Sequence, residues 1–128
     1  MLRSGPVLAA FFKVSCPTCQ LTLPYLSRLS GGGLRVVGIS QDDAASTAAF
    51  NSRFGVSFET LVDSRGEGYP ASNHYGITHV PSLFVIEQDG TVSAAWNGFS
   101  KKDMEKLGER AGRSVFEAGD DVPAWKPG

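Results

Sequence analysis

Two cysteines separated by two residues, Cys16 and Cys19, constrain the fold of this chain more than any other feature. The apolar run at residues 7–12 follows Gly5-Pro6 and predicts a buried strand. After the cysteines, apolar residues at three- and four-residue steps predict a helix over residues 17–30. The pair therefore lies where a strand passes into a helix N-terminus, whose free backbone N–H groups favour an anion. A thiolate is such an anion, so the position predicts disulfide exchange that begins at Cys16.

Length and charge narrow the expected class of protein. The chain has 128 residues, 41% of them hydrophobic, which predicts a single domain over residues 1–128 with an extended C-terminal tail at 119–128. Twelve basic and thirteen acidic residues nearly cancel, so no nucleic-acid partner is expected. No apolar run in the sequence approaches the ~18 residues of a membrane span.

Cysteine usage and the N-terminal residues set the expected compartment. Two neighbouring cysteines give no disulfide framework, and the N-terminal residues lack a signal-peptide pattern. We therefore expect a cytoplasmic location for the chain as it stands. A periplasmic or membrane-tethered location is the alternative, if a signal or anchor has been removed.

The rest of the sequence alternates strand and helix patterns. The predicted elements begin with a strand at 34–39, a helix that is capped by Gln41, Asp42 or Asp43 and ends at Phe54, and a strand at 59–62. A turn at 63–66 and a short helix at 69–75 follow. The last predicted elements are a hairpin of strands 83–86 and 91–96 that turns at Asp89-Gly90, and a helix that begins at Ser100. The apolar stripe of the last helix is expected to reach Val115, and Trp125 is expected to dock from the tail.

With Cys-x-x-Cys at the first strand–helix junction, this order resembles the thioredoxin fold. Pro24 matches the kink proline of that family, the run Thr-His-Val-Pro-Ser at 78–82 matches its cis-proline loop, and Gly98 matches a glycine near its active site. The long segment between residues 40 and 81 resembles the TlpA-type thiol–disulfide oxidoreductases of the redoxin group. The resemblance implies an α/β fold with a central mixed sheet of about five strands flanked by helices, and an extra αβ insertion before the cis-proline loop.

The resemblance also implies a function and a set of site residues. It implies a dithiol–disulfide oxidoreductase that acts on protein disulfides, with an electron-donor partner and with no cofactor or metal. Cys16 would attack, Cys19 would resolve the mixed disulfide, and Pro81 would cover the sulfurs. The backbone of Val80 would pair with the substrate, and a protonated His79 would stabilise the thiolate unless it is simply an exposed loop residue. The chain is expected to act as a monomer.

Three positions depart from the family pattern. Ser15 stands where many relatives have Trp, Ala10 stands where thioredoxin has a buried Asp, and Thr22 stands where TlpA-type proteins often have a Glu. Both usual proton acceptors for the second thiol are therefore missing. The remaining candidates are water, Asp42, Asp43 and His79.

Two other functions remain open from the sequence. A thiol peroxidase of the redoxin group is one, although its pattern places Thr or Ser three residues before the reactive cysteine, and neither cysteine here has one. A thioredoxin-like metallochaperone is the other, because Cys16, Cys19 and His79 are ligand types that suit Cu(I) or Zn. Insulin reduction measured beside a metal titration would separate these functions.

Overall fold

The computed structural model describes residues 5–63 and 68–128, where the predicted helices and strands occur in the predicted order together with two short strands that the sequence did not predict. Residues 64–66 of the turn predicted at 63–66 lie outside the described part of the chain. The elements are β1 (Val7–Phe12), α1 (Pro17–Ser27), β2 (Arg35–Ser40), α2 (Ala44–Phe54), β3 (Glu59–Val62), α3 (Pro70–His74), β4 (Ser82–Ile86), β5 (Val92–Asn97), β6 (Phe99–Ser100), α4 (Lys101–Ala111) and β7 (Trp125–Lys126). In the described ranges, no helix is both long and apolar enough to cross a membrane.

Five strands form one mixed sheet in the order β3-β2-β1-β4-β5. β1 runs parallel to β2, β2 runs parallel to β3, and β4 is antiparallel to both β1 and β5. All six residues of β1 are buried because the strand has a neighbour on each side and is covered on both faces. The predicted mixed sheet of about five strands is therefore confirmed. β6 and β7 form a separate two-stranded sheet.

The two faces of the sheet carry cores of different size. Alternate residues of β1 point to opposite faces, as the period of a strand requires. The larger core lies on the face that β1 supplies with Leu8, Ala10 and Phe12, and it includes apolar residues of α1, α2 and α4. The smaller core contains Ala9 and Phe11 and is covered by the short α3. The larger core supports α1, the helix that carries the cysteines.

Two helices end earlier than their apolar patterns predict. α1 ends at Ser27, after which the Leu29 and Ser30 amides donate to carbonyls three residues back in tight turns. α4 ends at Ala111 because Gly112 adopts a left-handed conformation (φ 72°), which a glycine accepts without strain. Val115 therefore lies beyond the helix, although it is buried in the larger core.

The hairpin and the tail also differ from their predictions in detail. The Gly90 amide donates to the Glu87 carbonyl at 2.9 Å, so the turn is centred one residue earlier than the Asp89-Gly90 pair. The predicted docking of Trp125 is wrong, since 59% of that residue is exposed. The tail is held instead by its main chain, through pairing of β7 with β6.

Candidate active site

Cys16 lies at the N-terminus of α1 with its sulfur between two main-chain groups. It is the N-cap residue of the helix, and its Sγ accepts a hydrogen bond from the Cys19 N–H at 3.2 Å. The Cys16 S–H donates to the Val80 carbonyl oxygen at 3.4 Å. The side chain is half-buried. An anion formed at this sulfur would therefore meet a backbone donor and the positive end of the helix dipole.

Cys19 lies in the first turn of the same helix and is fully enclosed. It has 0% exposure and belongs to the larger core together with Leu23 and Leu26. Burial raises the pKa of the Cys19 thiol, and its hydrogen bond with the Cys16 side chain raises this pKa further. A hydrogen bond with the backbone of Lys13 acts in the opposite direction. Both cysteines are free thiols in this structure, so the pair is in its dithiol form.

The loop that precedes β4 faces the sulfur of Cys16. The Val80–Pro81 peptide bond is cis, which matches the prediction for this loop. Pro81 is buried, and its carbonyl accepts a hydrogen bond from the Gly98 amide at 2.8 Å. The Ser82 hydroxyl donates to the carbonyl of His79 across the same turn. These bonds fix the Val80 carbonyl beside Cys16.

The side chain of His79 does not join the two thiols. The residue is exposed, and its Nδ1 forms a hydrogen bond with the Thr78 hydroxyl at 3.0 Å. It lines a polar cavity of about 230 Å³ together with Lys13 and Val80. No group of three potential metal ligands is assembled anywhere in residues 5–63 and 68–128. The ligand set of two cysteines and His79 that a metallochaperone would use is therefore not formed.

The acidic residues after β2 have separate positions. The Asp43 carboxylate accepts from the Ser46 amide at 2.7 Å and caps α2, as predicted. The same prediction is wrong for Asp42, whose Oδ2 accepts the Val14 amide at 2.8 Å, beside the cysteine motif. The negative charge of Asp42 also contributes to the raised pKa of Cys19. Asp42 is therefore the carboxylate whose charge acts on the second thiol.

The family positions for a proton acceptor are apolar or already engaged. Ala10 is fully buried in β1 and has no polar side-chain atom. Thr22 is also fully buried, and its hydroxyl donates to the Thr18 carbonyl at 2.7 Å. Neither side chain can accept a proton from Cys19 at neutral pH.

The C-terminal tail lies against the site, which the sequence did not indicate. The Thr18 hydroxyl, between the two cysteines, donates to the Pro127 carbonyl at 2.7 Å. The Lys101 amide donates to the Ala124 carbonyl at 3.0 Å. A two-residue strand held through its main chain has no side-chain periodicity, so no pattern in the tail predicts this placement.

Comparisons with known proteins identify relatives with named dithiol chemistry. The thiol:disulfide interchange protein DsbE of Yersinia pestis is 34% identical over 95 residues, which cover 72% of this chain and 49% of that protein. The thiol-disulfide oxidoreductase ResA of Halalkalibacterium halodurans is 24% identical over 108 residues, which cover 80% of this chain and 60% of that protein. A thiol:disulfide interchange protein of the thioredoxin family from Chlorobium tepidum TLS superposes with a TM-score of 0.69 at 25% identity, over 86% of this chain and 81% of that one.

The sheet order, the dithiol at the start of α1 and the facing cis-proline define a thioredoxin-like fold, and the structural match confirms that prediction. The sequence profile of the AhpC/TSA family matches residues 2–95, which include both cysteines and the Val80–Pro81 loop. The chain therefore belongs to the AhpC/TSA family, and the predicted redoxin relationship is confirmed. It spans 49% and 60% of the length of these two curated relatives.

Proposed function

We propose that this chain is a thiol–disulfide oxidoreductase domain that exchanges disulfides with protein substrates through Cys16 and Cys19. The observation that carries the proposal is the asymmetry of the pair. The Cys16 sulfur is half-buried at a helix N-terminus and accepts a hydrogen bond from the amide of Cys19, whose own thiol is buried. Disulfide exchange uses an accessible attacking thiol and a resolving thiol within reach of it. The names of the relatives, an interchange protein and an oxidoreductase, support the same chemistry.

In the reducing direction, the proposed exchange moves two electrons from the dithiol to the substrate. The Cys16 thiolate attacks one sulfur of a substrate disulfide, and the other substrate sulfur leaves as a thiolate that takes up a proton. Cys19 then loses its proton and attacks Cys16 Sγ, which breaks the mixed disulfide and releases the second substrate thiol. The chain is left with a Cys16–Cys19 disulfide. The same steps run backwards when a substrate dithiol is oxidised.

The loop before β4 is proposed to hold the substrate. The Val80 carbonyl oxygen lies 3.4 Å from Cys16 Sγ, so a peptide that pairs with the main chain of Val80 would carry its disulfide to the attacking sulfur. Pro81, buried behind Val80, positions that backbone. His79 is exposed on the wall of the neighbouring cavity, and we propose that it contacts the substrate chain.

The proposed reaction needs a protein partner and no cofactor. The two thiols supply both electrons, and a dithiol protein that donates electrons would return the Cys16–Cys19 disulfide to the dithiol. The cysteines and the loop that faces them all come from one chain, so we propose that a monomer is sufficient. The cytoplasmic location stays a prediction from cysteine usage.

Trapping of the mixed disulfide tests the proposed function. Cys19→Ser removes the resolving thiol, so the reduced variant should form a stable complex with insulin that a reductant releases. Cys16→Ser is the matched control, because it keeps one buried thiol and should form no complex. Absence of the complex, together with no insulin reduction by the unmodified protein, would reject the proposal.

The same preparation separates the two alternatives. Rapid consumption of hydrogen peroxide with no reaction towards insulin would favour the thiol peroxidase. Tight binding of Cu(I) or Zn by the reduced protein, lost in both cysteine variants, would favour the metallochaperone.

A further inference from the structure

The last four residues, 125–128, contact each of the three segments that surround Cys16; we call them the C-terminal strap. In the cysteine motif, the Thr18 hydroxyl donates to the Pro127 carbonyl at 2.7 Å. In the loop before β4, Gly128 lies directly against the Val80 carbonyl. In the third segment, Lys126 pairs with Phe99, and its carbonyl lies against Gly98. The strap thus covers the surface where the proposed function places the substrate.

Two glycines make this close approach possible. A Cβ atom on Gly128 would overlap the carbonyl oxygen of Val80, and a Cβ atom on Gly98 would overlap the carbonyl oxygen of Lys126. Gly98 also has a positive φ of 78°, a conformation that side chains disfavour. Any larger residue at position 128 would therefore have to move the strap away from Val80.

The strap lies in an extended conformation at the place where an extended substrate would bind. β7 is antiparallel to β6, and this pairing continues through the bond from the Lys101 amide to the Ala124 carbonyl. In the proposed function, a substrate segment uses the main chain beside Val80 in the same way. The strap and a substrate peptide cannot both occupy that backbone.

We propose that the C-terminal strap is an intramolecular competitor that must leave the Val80 loop before a protein substrate can bind. This inference rests on the proposed function. Cys16 stays half-buried with the strap in place, so a small disulfide reaches its sulfur while a folded substrate does not. The strap contains only a two-residue strand and its residues are exposed, which suits a contact that opens and closes reversibly.

Gly128→Val is the variant that tests the proposal, and Gly119→Val is its matched control. Gly119 lies in the same tail, but a Cβ atom there meets no other atom within 4 Å. Both reduced variants are assayed against insulin and against cystamine, a small disulfide. We expect Gly128→Val to reduce insulin about tenfold faster, which corresponds to ~1.4 kcal/mol, while Gly119→Val is unchanged. The cystamine rates of both variants should equal that of the unmodified chain.

A chain ended after Ala124 is the second variant, because it keeps the acceptor of the Lys101 amide and lacks the strap. It should also reduce insulin faster. Unchanged insulin rates in both Gly128→Val and the shortened chain would overturn the proposal. If the unmodified protein reduces neither cystamine nor insulin, the function on which the proposal rests is rejected instead.

Amide hydrogen exchange at Lys101 measures the pairing of the tail with β6 at Ala124, the residue immediately before the strap. Lys101 is the first residue of α4, so its N–H has no acceptor within the helix, and it is bonded to the Ala124 carbonyl. Mixed-disulfide formation between Cys19→Ser and a substrate peptide should accelerate exchange of this amide. Gly128→Val should do so without substrate. Full protection of the Lys101 amide in the mixed disulfide, together with unchanged insulin rates in Gly128→Val and in the shortened chain, would overturn the proposal.

Discussion

The surroundings of the two cysteines differ in how they are held together. Cys19 lies in a continuous apolar core built from α1, α4 and the central strands. Cys16, one helical turn away, packs only against the edge of this core, and its sulfur is hydrogen-bonded to main-chain groups beside loops and the C-terminal tail. A packed core resists opening, whereas such loop contacts open locally at low free energy.

This difference suits the two steps of the proposed exchange. The attacking sulfur must meet a protein substrate, so the groups around it have to open and close. The resolving sulfur must stay hidden until the mixed disulfide forms, so its surroundings have to be rigid. We infer that the stability of the chain depends on the region around Cys19 and that its substrate access depends on the region around Cys16.

The largest expected effect is on the alkylation rates of the two thiols. In the reduced protein at neutral pH, iodoacetamide should label Cys16 at least about a thousandfold faster than Cys19, because a core group reacts only through opening reactions whose free energies approach that of global unfolding. The raised pKa of Cys19 acts in the same direction, since it leaves the thiol protonated at neutral and mildly alkaline pH. Mass spectrometry of labelled peptides measures both rates.

Unfolding provides the control for this experiment. In denaturant the desolvation that raises the pKa of Cys19 is lost, and both cysteines should label at similar rates. Preferential labelling of Cys19 in the folded protein would reverse the assignment of the attacking and resolving thiols.

A second effect concerns stability, and it compares one side chain from each region. Leu26 is fully buried in the larger core, so Leu26→Ala should lower the free energy of unfolding by about 2–5 kcal/mol. Trp125 is 59% exposed in the strap, so Trp125→Ala should change it by less than ~0.5 kcal/mol, although more atoms are removed. Urea unfolding measures both values. A large loss from Trp125→Ala would mean that the strap is part of the stabilising structure, against the comparison.

A third effect concerns Asp42, whose charge acts on Cys19 from the loop after β2. If Asp42 accepts the proton of Cys19, Asp42→Asn should slow resolution of the mixed disulfide by about a hundredfold, the lower end of the range of general-base catalysis. Asn keeps an oxygen for the Val14 amide, so the bond beside the motif is preserved. Rapid-quench measurement of insulin release after mixed-disulfide formation gives the rate.

The opposite result for Asp42→Asn has its own meaning. The Asp42 charge raises the pKa of Cys19, so its removal should favour the Cys19 thiolate if repulsion is its main effect. Faster resolution would therefore contradict the acceptor role. Asp43→Asn is the control, because that carboxylate caps α2 and its replacement should leave the rate of mixed-disulfide resolution unchanged.

The parts of the fold that the sequence predicted well are those specified by side-chain patterns. β1 is a run of apolar residues buried on both faces, and the apolar periodicity after the cysteines located the start of α1. The parts it missed are specified by the main chain or by tertiary context. Asp42 and Asp43 have the same side chain, and only the tertiary structure shows that one caps a helix while the other binds Val14.

Asp63, on the other face of the sheet, also has a role that only the tertiary structure shows. It was predicted only as part of a turn, yet it is buried and its carboxylate accepts the amides of Ala71 and Ser72 at 2.9 and 2.8 Å. These bonds hold the start of α3, whose chain leads into the Val80 loop. An acidic residue between a strand and a glycine is typical of an exposed turn, so only the folded structure reveals this role.

The smallest expected effect is a pH dependence of the segment that leads into the strap. The Arg28 guanidinium, at the C-terminal end of α1, donates to the Asp120 carboxylate at 2.6 Å and to the Val115 carbonyl at 2.9 Å. These bonds connect the segment before the strap to α1. The hydrogen bond from Arg28 holds the pKa of Asp120 below its usual range, with the Glu117 amide as a further donor. A lowered pKa in the folded state stabilises the protein at pH values above the ordinary pKa of ~3.9, and this contribution is lost as the pH falls through the lowered pKa.

Asp120→Asn should therefore lower the thermal midpoint slightly at neutral pH. It should leave the midpoint nearly unchanged at the acidic end of that pH window, where the unmodified carboxylate is protonated. Because the pair is only partly buried, added salt should reduce the difference at neutral pH. An equal loss at both pH values would mean that Asp120 acts through packing, and the electrostatic tie between the tail and α1 would then be wrong.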